Sequence, residues 1–177
     1  LTFAFVLVLG IVTTVRVHSQ QRETVSGAIT SPFSRYDESK LSQPRYNIRV
    51  ERNVRMPMRD GVELAADIYF SEAVGNFRIL FRTIYNRGTL GFDQQARFFA
   101  RRGYVVLVQG ERGRYDADGS FYAFKNEAND GYDTDEWIGR QPWFDGNLGA
   151  MGGSYGGYVQ WAQAVGGSKY LKEIFPE

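Results

Sequence analysis

The chain has 177 residues, 43% of them hydrophobic and 23% charged, which is enough apolar material for one sizeable core in a globular domain. A net charge of +1 gives no basis for a nucleic-acid or acidic-surface partner, and the absence of cysteine excludes disulfides and thiolate metal sites. The single histidine, His18, excludes a metal centre built on a histidine cluster and is the one residue that could serve as the base of a Ser-His-Asp triad within this stretch.

Residues 1–15 form an uncharged apolar run, shorter than the roughly 20 residues a membrane span needs. Val17 and Ser19 then suit the −3 and −1 positions of a signal-peptidase site, so 1–19 reads as part of a secretory signal peptide. An uncleaved N-terminal anchor is the alternative. Either reading predicts a secreted or periplasmic protein and places His18 in a targeting segment, away from any catalytic role. Residues 20–44, polar and Ser-rich with Pro32 and Pro44, read as a linker or extended arm.

From Asn47 to Met56, Ile48, Val50 and Val54 alternate with charged residues, the pattern of an edge-type strand. Asp60-Gly61 is a hairpin signal, and Val62 to Phe70 is the returning strand. Arg78 to Thr83 is a third strand. Gln94 to Arg102 fits a short helix closed by Gly103. Tyr104 to Val108 is a continuous apolar run, as expected of a central parallel strand buried on both faces. Glu127 to Arg140 is helical, with acidic residues crowding its first turns. Leu148 to Met151 is a short strand, Tyr158 to Val165 a helix, and Lys172 to Phe175 a last strand. A hairpin followed by strand–helix repeats predicts an α/β fold, with a mixed sheet that becomes parallel.

Between the last two of these strands lies Gly152-Gly153-Ser154-Tyr155-Gly156, a Gly-x-Ser-x-Gly pattern. With 20 glycines in the chain the bare pattern also describes a glycine-rich turn, but the flanking strand and helix are those of a nucleophile elbow. In that geometry Ser154 is exposed on a strained turn, and side chains at Gly152 and Gly156 are expected to collide across it. The 11 Tyr and 13 Phe fit either a large core or an aromatic-lined pocket. Arg112 and Arg114 beside Asp116 and Asp118 are expected to form ion pairs that hold their loop, the alternative being a substrate-carboxylate site. Asp130, Asp133 and Asp135 are expected to be solvated carboxylates in the first turns of their helix. No phosphate-loop pattern is present, so no nucleotide cofactor is expected, nor any metal.

Six stretches in order resemble one family. They are Val54 to Tyr69, Phe98 to Val106, Arg112 to Gly119, Asp130 to Ile138, Gln141-Pro142-Trp143, and the elbow Gly152 to Gly157. The chain over 45–177 thereby resembles the N-terminal part of the Xaa-Pro dipeptidyl-peptidase-like and cocaine-esterase-type serine hydrolases. The resemblance implies part of an α/β-hydrolase fold that cleaves ester or amide bonds through an acyl-enzyme. It implies Ser154 as nucleophile, the backbone N–H of Tyr155 as one oxyanion donor, and the hydroxyl of Tyr85 as the other. The family's Thr-Pro-Tyr motif reads Thr83-Ile84-Tyr85 here, a departure at Ile84.

In this superfamily the acid and histidine follow the nucleophile in chain order. Both are therefore expected after Glu177, with a cap and a C-terminal domain. The 177 residues alone are expected to be an inactive fragment with an exposed sheet edge. The implied partner is a small ester, amide or peptide substrate. A non-catalytic binding protein on the same fold is the alternative function.

Overall fold

The computed structural model describes residues 21–23, 38–73 and 77–177. The expected signal segment and His18 lie outside the described residues, as does most of the 20–44 arm. The strands are β1 (Gln21–Glu23), β2 (Ile48–Pro57), β3 (Glu63–Ser71), β4 (Arg78–Thr83), β5 (Val105–Gly110), β6 (Leu148–Gly152) and β7 (Leu171–Pro176). The helices are α1 (Leu90–Ala100), α2 (Glu127–Gly139) and α3 (Tyr155–Gly166). The strands form one sheet in the order β1-β2-β3-β5-β4-β6-β7. Pairing is antiparallel from β1 to β5 and parallel among β5, β4, β6 and β7.

The hairpin forms where Asp60-Gly61 predicts it. Gly61 takes φ +84°, and the Met58 N–H donates to the Val62 carbonyl at 2.8 Å to close the turn. β2 carries the alternation of an edge strand but is not the edge. β1 pairs with it over Ile48 to Val50, so the outer row of backbone groups is partly covered. A bulge between Glu51 and Val54 places Asn53 at φ 55°.

β5 is buried along its whole length, as its apolar run requires. Leu107 joins Leu64, Ile68, Leu80, Ile138 and Leu148 on one face of the sheet; Val106 and Val108 join Ile48, Phe81, Ala96 and Ala100 on the other. α1 packs on the second face against β5 and β3, while α2 and α3 pack on each other, with α3 lying over β4 and β6. The chain therefore leaves β4 through a helix on one face, and its neighbour β6 through a helix on the other. This reversal opens a crevice beyond the C-terminal ends of β4 and β6, where open α/β sheets place their ligands. Tyr85 follows β4 and Ser154 follows β6, so the topology brings both to that crevice.

Candidate active site

Ser154 is exposed and adopts φ 57°, ψ −123°, a sparsely populated conformation for a residue with a Cβ. Its hydroxyl makes no capping bond to α3, although Ser is a favoured capping residue. Its backbone is held instead. The Ser154 N–H donates to the Glu177 carbonyl at 2.9 Å, and the Glu177 N–H returns to Gly152 at 3.1 Å. The carbonyl of Ser154 accepts from the N–H groups of Gly157 and Tyr158. Tyr155 is the first residue of α3, so its N–H has no partner within the helix and lies at the positive end of the dipole.

The glycines do not divide the work as expected. A Cβ at Gly152 would lie 3.5 Å from the backbone of Gly156, an ordinary contact. What demands glycine at 152 is φ +151°. Gly156 would meet only the Arg82 carbonyl, at 3.5 Å. The crowded position is Gly157, where a Cβ would sit 2.8 Å from the Glu177 carbonyl oxygen. The squeeze comes from Glu177, just past β7, an approach from 20 residues away that local spacing does not encode.

Tyr85 is half exposed, and its N–H donates to Thr83 Oγ1 at 3.0 Å. It lines a cavity of about 130 Å³ together with Thr83, Gln95, Gly152, Gly153 and Gly156. Gly152, Gly153 and Gly156 thus bring the elbow to the same cavity as Tyr85, while Ser154 and Tyr155 do not themselves line it. A larger groove, about 560 Å³, runs along β4, β6 and β7 past Phe77, Tyr104 and Ile174, and neither Ser154 nor Tyr85 lines it. The aromatic residues divide between core and surface. Phe124 packs on Tyr155 and Tyr158 at ring-centroid distances of 5.2 and 4.7 Å, and Phe121 lies 6.0 Å from Tyr155, forming an aromatic shelf around the start of α3.

Beneath the elbow lies a buried polar cluster. Arg82 pairs with Glu111 at 2.8 Å, both essentially without solvent contact, and also donates to Gln109 and to the Glu127 carbonyl. Burial pushes the Glu111 carboxyl up to about 7, against the pull of Arg82. Burial likewise pushes Asp135 up to about 7, although Gln163 donates a hydrogen bond to it. Glu127 accepts a hydrogen bond from the Tyr155 phenol. Charges at the C-terminal ends of apolar strands, Arg82 on β4 and Glu111 after β5, were the available signal for this cluster.

The acidic residues of α2 are not solvated. Asp130 and Asp135 are buried, and Asp133 is nearly so. Asp130 accepts two hydrogen bonds from Arg112, and Asp133 holds Arg59 through both carboxylate oxygens. α2 packs beside α3 and against β2, and its first turns face guanidinium groups instead of water. Ion pairs hold the Arg112–Asp118 loop as expected, with partners outside it, and Arg114 makes a backbone bond instead. Arg112 reaches Asp60 and Asp130, Asp116 accepts from Arg87, Asp118 accepts from Arg55, and Arg114 donates to the Ile84 carbonyl. These side chains tie the loop to its surroundings, while backbone bonds from Gly113 to Asp118 and from Ala117 to Arg114 close it on itself. Among the described residues no group of three or more His, Cys, Asp or Glu could hold a metal ion, and no helix is long and apolar enough to cross a membrane.

A cocaine esterase of Rhodococcus sp. (strain MB1 Bresler) is 40% identical over 135 residues, which are 73% of this chain and 24% of that protein. The solved CocE/NonD family hydrolase from Staphylococcus aureus is 26% identical at TM-score 0.65, over 72% of this chain and 27% of that one. An alpha/beta hydrolase from Penicillium sp. shares the fold at TM-score 0.61 and 20% identity, over 70% of this chain and 44% of that one. The chain thus spans about a quarter of the length of the curated relatives it matches. The model of the X-Pro dipeptidyl-peptidase family, S15, matches residues 60–177. The fold is that of an α/β hydrolase, and the chain belongs to the X-Pro dipeptidyl-peptidase (S15) family.

Proposed function

We propose that the protein to which these residues belong is a serine hydrolase that cleaves ester or amide bonds through an acyl-enzyme, with Ser154 as nucleophile. The observation that carries this reading is the exposed, uncapped Ser154 hydroxyl at φ 57°, on a turn that shares its crevice with the Tyr85 loop. Ser154 Oγ attacks the substrate carbonyl carbon and passes its proton to a base. Negative charge then collects on the former carbonyl oxygen, where the Tyr155 N–H and the Tyr85 hydroxyl donate hydrogen bonds. Each such donor lowers the barrier by about 3–4 kcal/mol. Collapse expels the alcohol or amine and leaves Ser154 acylated, and water releases the acid.

The base and its orienting acid are proposed to follow Glu177, consistent with the Ser…Asp…His order of this superfamily. Residues 1–177 alone are then inactive, because their one histidine is His18. The protein is proposed to be secreted or periplasmic, on the strength of the apolar run ending at Val17-His18-Ser19.

The test is a panel of simple acyl esters and X-Pro amides presented to the full-length protein and to Ser154→Ala. Hydrolysis of either class, lost in the variant, supports the reading. Binding without turnover in both proteins would leave a non-catalytic binding protein on this fold.

A further inference from the structure

Two residues beyond Tyr85, the same loop carries Arg87, whose guanidinium is buried (4% exposed). Its Nε donates to Asp67 Oδ1 on β3 at 3.3 Å. Its Nη2 donates to Asn53 Oδ1, on the β2 bulge, at 3.0 Å and to Asp116 Oδ2, in the loop after β5, at 3.1 Å. One side chain therefore ties the Tyr85 loop to three separate segments. The receiving groups are themselves organised. The N–H of Asn53 donates to the same Asp67 oxygen at 2.9 Å, and Asn53 holds the left-handed φ of 55° that turns its amide toward Arg87. From the other side, Arg114 Nε donates at 2.9 Å to the Ile84 carbonyl, which belongs to the peptide leading into Tyr85. The loop's own bonds, Tyr85 N–H to Thr83 Oγ1 and Gly88 N–H to Asn86 Oδ1, shape it but do not attach it to the sheet.

A buried guanidinium is costly, here the more so because Nη1 is buried without a hydrogen-bond partner, so a loop with no positional demand has little use for one. Tyr85 is half exposed and lacks a core to hold it, yet an oxyanion donor must be placed to within a fraction of an ångström. We infer that Arg87 is a positioning residue: it locks the β4–α1 loop on Asp67, Asn53 and Asp116 so that the Tyr85 hydroxyl stands ready in the oxyanion site. This rests on the reading of Tyr85 as an oxyanion donor.

The test is a double-mutant cycle on kcat and KM in the full-length protein, using Arg87→Ala, Tyr85→Phe and the pair. Arg87→Lys is run in parallel. It keeps the charge but loses the planar fork that reaches three acceptors, and it carries the test if the alanine variant does not fold. Tyr85→Phe is expected to lower kcat by roughly 100-fold or more, as for other lost oxyanion donors. Either Arg87 variant is expected to lower kcat by about 10- to 100-fold with KM little changed. In the Tyr85→Phe background the same change is expected to cost less than about threefold, because the group Arg87 serves is already gone. Equal losses in both backgrounds, or full kcat in Arg87→Lys, would overturn the inference while leaving Tyr85 in its role. An unchanged kcat in Tyr85→Phe alone would overturn the Tyr85 reading and, with it, the purpose given to Arg87.

Discussion

The phenol of Tyr155, the residue after the proposed nucleophile, donates its hydrogen bond to a carboxylate oxygen of Glu127, 28 residues earlier and at the start of α2. The same phenol oxygen accepts from the Phe124 N–H at 3.1 Å. Burial, followed by the bond to Glu127, raises the phenol above its usual pKa, so it stays protonated through neutral and moderately alkaline pH. The contact pins the first turn of α3, where the proposed oxyanion N–H lies, to the N-terminus of α2. Tyr155→Phe removes a donor from Glu127, which is 3% exposed and already has one oxygen without a partner. The expected cost is about 1–3 kcal/mol in urea unfolding. Adding Glu127→Leu to that variant should not recover the loss, because it also removes the one acceptor the Phe124 N–H would keep.

Backbone strain at Ser154 predicts a stability difference between two substitutions there. Glycine accepts φ 57°, ψ −123° without a Cβ penalty, whereas alanine does not. Ser154→Gly should therefore be more stable than Ser154→Ala by about 1 kcal/mol after the glycine entropy cost, although neither can form an acyl-enzyme. Equal melting temperatures for the two variants would remove the strain from the account.

Gly157 and Gly156 are adjacent but face different neighbours. A Cβ at 157 meets backbone at 2.8 Å, on the carbonyl that holds the Ser154 N–H, while one at 156 meets backbone at 3.5 Å. Gly157→Ala should cost about 1–3 kcal/mol and loosen the elbow, as overpacking against rigid backbone does. Gly156→Ala should be close to neutral. Thermal unfolding of the two single variants separates the cases.

Glu111 predicts the pH dependence. Its folded carboxyl titrates near 7, well above the ordinary 4.5, because burial outweighs Arg82. The folded state thus holds a proton that the unfolded state has released between those values. Stability falls as pH rises through the window, by up to about 1.4 kcal/mol per unit, and levels off above it. Asp135, raised from 3.8 to about 7 by burial, acts in the same direction. Relative to Glu111→Gln, the native protein should lose stability between pH 5 and pH 8 in urea titrations. Parallel curves for the two proteins would count against a buried, proton-holding Glu111.

What was legible in the sequence was local. Val105 to Val108 announces a strand buried on both faces because nothing polar interrupts it, and Asp60-Gly61 announces its turn through the φ glycine supplies. The elbow is readable because its strand, turn and helix are contiguous. What was not legible is pairing across long gaps. Asp130 looks like a solvated, dipole-favoured carboxylate until Arg112 is seen folded against it, and Gly157 looks incidental until Glu177 is seen packed on it. Arg87 gave no local sign, since its partners come from other elements, and nothing near Glu127 announced its bond to Tyr155. The order β5-β4-β6, which creates the crevice, also rests on crossover connections that alternation and turn chemistry do not specify.

The central claim, that Ser154 is an activated nucleophile, is tested most directly by treating the full-length protein with a fluorophosphonate probe and mapping the adduct by peptide mass spectrometry. The account predicts one adduct, on Ser154, formed in the native protein and lost on denaturation. Intact Ser154 after exposure, or ester hydrolysis that survives Ser154→Ala, would contradict it.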